Sequence, residues 1–271
     1  MTTGMDFMAA VLEKKRARVR DAQAGTSFYN LRAGAFEVRS RASRHALRKA
    51  LSNDDQINVI AEIKRASPSK GDLGLSATVE ATALAYRRGG AVAVSVLTEE
   101  DYFRGSLADL RAARRSVSLP VLRKDFIFDD YQIYETAAAG ADALLLIVAL
   151  LDDETLLRLR TITEAELGMD ALIEVHTIEE MARASAAGAS LIGVNNRDLH
   201  TFDVSIDVSF ELRKEAPAGA LLVSESGLKT GWDLKRLREA GYDGFLIGEA
   251  LVASQDPEAA LCRLIEEAGE T

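Results

Sequence analysis

Gly89-Gly90-Ala91-Val92-Ala93-Val94-Ser95-Val96 opens a pattern that returns three times along the chain. The later copies are Ala139-Gly140-Ala141-Asp142-Ala143-Leu144-Leu145-Leu146, Ala187-Gly188-Ala189-Ser190-Leu191-Ile192-Gly193-Val194 and Ala240-Gly241-Tyr242-Asp243-Gly244-Phe245-Leu246-Ile247. The glycines at 90, 140, 188 and 241 lie 50, 48 and 53 residues apart. Each stands where a charged, helix-period segment gives way to an apolar run, the place of a left-handed residue that closes a helix. Between the copies lies a second apolar run. The full set is Ile57–Ile63, Ala91–Leu97, Leu119–Leu122, Ala141–Val148, Ala171–Val175, Leu191–Val194, Ala220–Val223 and Gly244–Ile247, eight in all. Runs that do not alternate with polar residues suit strands buried on both faces, as in a parallel sheet. Every gap is long enough for the crossover helix that parallel pairing requires. Four repeats of two units give eight βα units, so the expected fold is a (β/α)8 TIM barrel rather than an open doubly wound sheet.

The barrel is expected over 51–271, behind an N-terminal helical extension over 1–50. In that extension Phe7–Ala22 reads as an amphipathic helix and Arg41–Leu51 as a second, with an irregular stretch around Gly25 and Gly34 between them. The whole chain has 271 residues, 42 acidic and 33 basic, for a net charge of −9. That balance argues against nucleic acid or an anionic membrane as partner, since both reward a basic face. One cysteine, Cys262, excludes an intrachain disulfide, and with three histidines it argues against a structural zinc site. The longest apolar run, Ala143–Leu151, is far short of the roughly 20 residues that span a bilayer. No basic segment with a long apolar core opens the chain. These features predict a cytoplasmic protein.

In such barrels the active site lies where the strands end. The first run closes on Glu62-Ile63-Lys64, and residues two apart share a face of a strand. Two opposite charges inside a barrel have to pair with each other or with a ligand. The segment Ser67–Gly74 follows, rich in hydroxyls and glycine, and reads as a mobile loop, a phosphate contact or a lid. The third run closes on Arg123-Lys124, where Lys124 is a candidate general acid or Schiff-base amine and the alternative is a solvated loop. The fifth closes on Glu174, with His176 sharing its face and favoured as a satisfied structural histidine. The sixth closes on Asn195 and Arg197, holders of hydroxyls and carboxylates. Ser224-Glu225-Ser226-Gly227 and Gly248-Glu249 close the last two, at the usual phosphate position of such barrels. Glu249 is expected to turn its side chain away and offer its amide. Polar groups thus close five of the strands, and no comparable set is expected to open them at the other end.

The segment Ile60-Ala61-Glu62-Ile63-Lys64-Arg65-Ala66-Ser67-Pro68-Ser69 strongly resembles the signature of the indole-3-glycerol phosphate synthase family. Six further segments match in order, among them Ser95–Glu99 with Tyr102-Phe103, Leu122–Phe126, Leu172–His176, Gly193–Leu199, Val223–Gly227 and Leu246–Glu249. The resemblance implies closure of an indole ring with loss of carbon dioxide and water from 1-(2-carboxyphenylamino)-1-deoxyribulose 5-phosphate, without metal or organic cofactor. It implies Lys124 as the acid at the carbonyl oxygen, Glu174 as a base, Lys64 as a second acid, Glu62 as a group that orients Lys64, hydrogen-bonds the substrate or does both, and Asn195 and Arg197 as holders. Glu225 would meet sugar hydroxyls. Phe103, Phe126, Leu145 and Leu199 would form an apolar wall, and Ser67, Ser226, Gly227, Gly248 and Glu249 would take the phosphate. Which lysine donates at which step stays open. The pocket is expected to be locally cationic despite the net charge, and the protein a monomer or weak homo-oligomer. Two other readings are a barrel isomerase similar to phosphoribosylanthranilate isomerase, which wants a site cysteine that Cys262 does not supply, and a non-enzymatic phosphate-binding barrel.

Overall fold

Strands buried on both faces must hand every backbone group to a neighbour, and this chain does so by closing its sheet on itself. A computed structural model describes residues 4–67, 71–73, 77–199 and 201–269. The barrel strands are β1 (Val59–Ile63), β2 (Ala93–Leu97), β3 (Val121–Lys124), β4 (Ala143–Ile147), β5 (Asp170–Val175), β6 (Leu191–Asn195), β7 (Leu221–Glu225) and β8 (Gly244–Ile247). Each pairs in parallel with the next, and β8 pairs with β1 to close the ring. Helices fill the crossovers. The four repeat glycines have φ of 93°, 89°, 72° and 94°, the left-handed geometry expected of them.

Alternation along each strand sorts the apolar residues into two clusters. Ile60, Leu122, Leu145, Leu172, Val223 and Leu246 point inward and pack together. Their chain neighbours Ala61, Val121, Leu144, Ile173, Leu222 and Ile247 point outward, into the layer shared with the helices. The inward positions nearer the strand ends hold Glu62, Lys124, Glu174, Asn195 and Glu225, so the polar mouth continues the same parity.

The region before β1 differs from its sequence reading. Gly4–Gly25 is one helix, α1, and the stretch expected to be irregular is a second, α2, over Phe28–Arg39. Only Thr26–Ser27 interrupts them. Ser27 caps α2 by accepting the Asn30 amide, and Gly34 is tolerated inside a helix held by tertiary contacts. Phe28 meets Tyr134 edge-on at 5.2 Å, and buried Arg39 donates to the carbonyls of Leu167 and Ala141 and to Asp142. The expected helix over Arg41–Leu51 begins only at Ala46, after left-handed His45, and runs to Leu51 as α3. Its Leu47 and Leu51 plug the barrel floor, and Val11 of α1 joins the same inward cluster from the mouth.

The expected absence of polar groups at the strand starts does not hold. Asn58, Asp142 and Asp170 are buried there. Asp170 receives Arg48 and the Arg48 amide and faces His45, and Asp142 receives Arg39, Arg114 and the Val121 amide. Asn58 donates to the carbonyls of Leu51, Asn53 and Asp243. These groups tie α2 and α3 to the floor, and all their bonds are internal. A polar end of a barrel is therefore not by itself a site; what separates the two ends is the open cavity at the other.

Candidate active site

All sixteen residues expected at the site line one cavity at the C-terminal mouth: Glu62, Lys64, Ser67, Phe103, Lys124, Phe126, Leu145, Glu174, Asn195, Arg197, Leu199, Glu225, Ser226, Gly227, Gly248 and Glu249. At its centre Lys124 Nζ stands 3.2 Å from Glu174 Oε2 and 3.0 Å from Glu225 Oε2. A quarter-turn round the barrel, Lys64 Nζ pairs with Glu62 Oε1 at 3.0 Å. The solvated-loop alternative for Arg123-Lys124 is excluded, because Arg123 is buried against Asp125 and Glu135 on the outer face while Lys124 points in.

Burial disfavours every charge in this group, and the neighbours decide who keeps one. For Lys124, burial works against the proton, but Glu174, Glu225 and Glu62 outweigh it and hold the ammonium well above the usual lysine range. For Glu174, burial favours the neutral acid, but Lys124, His176 and Asn195 together hold the carboxyl below the usual range. For Glu225, burial wins, helped by Glu174 and Glu62, and the carboxyl is pushed up to about 7. Two carboxylates share one amine here, and the second of them carries the proton more readily. Glu225 Oε1 meets no hydrogen-bond donor among the described residues and turns toward Gly193. A Cβ on Gly193 would lie 2.1 Å from it, so glycine here makes room for the carboxyl.

His176, expected as a satisfied structural histidine, is paired at both ring nitrogens. Its Nε2 is 3.3 Å from Glu174 Oε1 and its Nδ1 3.1 Å from Glu180 Oε2. Burial opposes its charge, yet the two carboxylates push it up to about 10. Glu174 is thus held at both oxygens.

The loop after β6 folds back as a small hairpin, with Arg197 bridging to Val204 and the Asp198 amide donating to the Asp203 carbonyl at 2.9 Å. Arg197 is anchored to the Phe202 carbonyl at 3.1 Å and approaches Glu249 at 3.7 Å. The Glu249 carboxylate thus lies on the Arg197 side of the mouth. After β7, Ser226 and Gly227 are both left-handed, with φ of 66° and 79°. A serine in that region is strained, and it is held by Asn196, which donates to the Ser226 carbonyl and to Ser224 Oγ. Phe103 and Phe126 face each other at 6.4 Å between ring centroids. Of the expected mobile loop, Ala66–Ser67 pairs with Gly71–Asp72 as a two-stranded ribbon; Pro68–Lys70 and Gly74 lie outside the described residues.

The mouth is not the cationic pocket expected. Lys64, Lys124 and Arg197 face Glu62, Asp125, Glu174, Glu225 and Glu249, so carboxyl groups outnumber cations. Sequence reasoning also missed Met8, Asp125, Phe202 and Leu228 in the lining. Met8 comes from α1, which is clamped over the mouth by Lys15 between Glu100 and Asp125, both at 2.8 Å. Only the position of Asp125 beside Lys124 could have hinted at this clamp.

A family model described as indole-3-glycerol phosphate synthase matches residues 8–264. Curated relatives carrying that name include one from Carboxydothermus hydrogenoformans, 50% identical over 261 residues, covering 94% of this chain and 98% of the relative. One from Leifsonia xyli is 51% identical over 212 residues, covering 78% and 81%. One from Syntrophobacter fumaroxidans is 44% identical over 263 residues, covering 96% and 97%. Among solved structures, thiamine phosphate pyrophosphorylase from Pyrococcus furiosus is similar in fold, with a TM-score of 0.59 at 16% identity over 80% of this chain and 98% of that one. A match over nearly the full length, with the motif residues gathered in one barrel mouth, leads to one conclusion: the chain belongs to the indole-3-glycerol phosphate synthase family.

Proposed function

We propose that the barrel mouth closes the indole ring of 1-(2-carboxyphenylamino)-1-deoxyribulose 5-phosphate and releases carbon dioxide and water. The observation that carries the assignment of roles is Lys124, protonated between two buried carboxyl groups at the centre of the cavity. When the anilino ring attacks the ribulose carbonyl, negative charge develops on the carbonyl oxygen. A preorganised ammonium stabilises that charge and supplies its proton. The ring carboxylate has to leave as neutral carbon dioxide, which an apolar wall favours over solvation; Phe103, Phe126, Leu145 and Leu199 support that part. Loss of the hydroxyl as water then requires a proton taken from the substrate and one given to the leaving oxygen. Glu174, ionised and acceptor-only, serves as the base. Lys64, oriented by Glu62, serves as the acid.

Asn195 helps to keep Glu174 ionised and its Oδ1 accepts the Arg197 amide, a placement suited to keeping base and substrate in register. Glu225, with its raised proton affinity, can donate to or accept from the sugar hydroxyls. The phosphate falls to Ser67, Ser226, Gly227, Gly248 and the Glu249 amide. Ser226 and Gly227, both left-handed, make the tight turn after β7, the place at which such barrels take phosphate. The reaction transfers no electrons to a carrier, so the reading assigns no metal or organic cofactor. We further infer that residues 1–50 are an extension to a catalytic barrel over 51–271, and that the enzyme works in the cytoplasm as a monomer or weak homo-oligomer. Supporting this, no described helix is long and apolar enough to cross a membrane, and Cys262 is a free thiol.

The test is turnover of that substrate, followed by indole fluorescence and by carbon dioxide release. Lys124→Ala and Glu174→Gln should each lose at least about 100-fold in kcat while keeping the circular dichroism of the parent. Normal turnover in either variant would remove the role given to that residue.

A further inference from the structure

Glu174 has one oxygen toward the cavity and one toward the protein. On the cavity side Oε2 meets Lys124 at 3.2 Å; on the protein side Oε1 meets His176 Nε2 at 3.3 Å. The imidazole is in turn fixed from behind. Glu180 Oε2 accepts the His176 amide at 2.7 Å and faces Nδ1 at 3.1 Å. Glu180 occupies the third position of the helix Ile178–Ala186, whose cap Thr177 accepts the Glu180 amide. A glutamate there ordinarily reaches back to the amide of the cap residue itself. Here the carboxylate goes one residue further, to His176, and takes hold of both its backbone and its ring. The ring is only 8% exposed and has a carboxylate at each nitrogen, an arrangement that suits the imidazolium.

We propose that His176, locked by Glu180, is a positioning residue for the indole-forming reaction: it holds Glu174 ionised and aims its cavity-side oxygen at the substrate throughout the cycle. The reason lies in what Lys124 does. Once Lys124 has given its proton to the carbonyl oxygen, Glu174, Glu225 and Glu62 lose the cation that balanced them. Without a second cation behind it, Glu174 would be drawn to take up a proton before the dehydration step needs it as a base. His176 supplies that cation from the side the substrate does not occupy. The groups facing the ring are Glu174 from β5 and Glu180 from the following helix. Arg197, Asp198 and Asp203 of the β6 loop line the neighbouring cavity that His176 and Glu180 also border.

The inference rests on Glu174 being the base, and the experiment separates the two. The kcat–pH profile of His176→Gln and Glu180→Gln is compared with the parent. Both variants should show the acid limb of kcat moved upward by about one pH unit or more, with Glu180→Gln the milder. A loss of about tenfold in kcat on the plateau above that limb, from the misaimed carboxylate, with KM changed less than kcat, should accompany the shift. Partial recovery of His176→Gly by imidazole in the buffer should follow, since the ring borders a cavity. An unmoved acid limb in Glu180→Gln, or in a folded His176→Gln, overturns the proposal. Should His176→Gln fail to fold, Glu180→Gln decides alone. Full turnover by Glu174→Gln would instead overturn the assignment of the base on which the proposal stands.

Discussion

Glu225→Gln isolates the proton that the barrel mouth stores. The parent carboxyl is raised from 4.5 to about 7, chiefly by burial and then by Glu174 and Glu62 against the opposing pull of Lys124. A folded state that binds a proton more tightly than the unfolded chain is favoured while both are protonated, and loses that advantage as pH rises. The contribution is therefore fully present below about pH 4.5 and is lost as pH climbs through about 7. Two to three pH units at 1.36 kcal/mol each make the loss about 3 kcal/mol. Glutamine matches the carboxyl in shape, keeps an oxygen for Lys124 and does not titrate. The unfolding free energy of Glu225→Gln minus that of the parent should thus climb by about 3 kcal/mol between roughly pH 4.5 and pH 8. Urea melts followed by two probes measure it; the subtraction cancels titrations remote from the mouth, and Glu174, held below the usual carboxylate range, stays ionised in the folded protein across this window. Infrared difference spectra offer a direct reading: a protonated-carboxyl band present near pH 5.5, lost near pH 8.5 and absent from the variant. A flat stability difference, or a band unchanged by the substitution, would refute the argument that burial and Glu174 outweigh Lys124 at this site.

Two more perturbations test the packing around the mouth. Gly193→Ala places a Cβ where Glu225 Oε1 now sits, 2.1 Å away, with Leu172 behind it at 3.3 Å. Glu225 must leave Lys124 or the strands must part, so about 1–3 kcal/mol of stability and most of kcat should be lost; parent-like melts and turnover would show that the carboxyl does not need that space. Lys15→Met removes the cation that joins α1 to Glu100 and Asp125. Asp125 keeps Arg123 at 3.0 Å, Thr98 and the Phe126 amide, so the cost should be about 1–3 kcal/mol rather than that of an orphaned buried charge, with faster proteolysis at Gly25–Ser27 and a raised KM. An unchanged melt and cleavage rate would mean that α1 is held by its apolar face alone.

Some of this molecule is local and some is not. The barrel was legible because its cause is local: buried strands write an apolar run, a crossover helix writes a charged one, and a left-handed glycine marks the change at 90, 140, 188 and 241. The same-face pairs Glu62 with Lys64 and Asn195 with Arg197 were legible for a related reason, since alternation belongs to a single strand. The helix Phe28–Arg39 was hidden because Gly25 and Gly34 mark a loop by composition, whereas contacts with Tyr134 and Asp142 decide otherwise. Buried Asp142 and Asp170 at the floor were hidden because their partners come from helices far away in sequence.

What the sequence determined by itself is which side chains point into the mouth, since parity along a strand needs no knowledge of its neighbours. What only the tertiary structure decided is what those side chains do to one another. Lys124, Glu174 and Glu225 sit on strands separated by whole βα units, and only ring closure brings their charged atoms within about 3 Å. At that distance, out of water, each group's protonation depends on the others, so an ionised Glu174, a proton-holding Glu225 and a doubly paired His176 are properties of the closed barrel and of no segment of the chain.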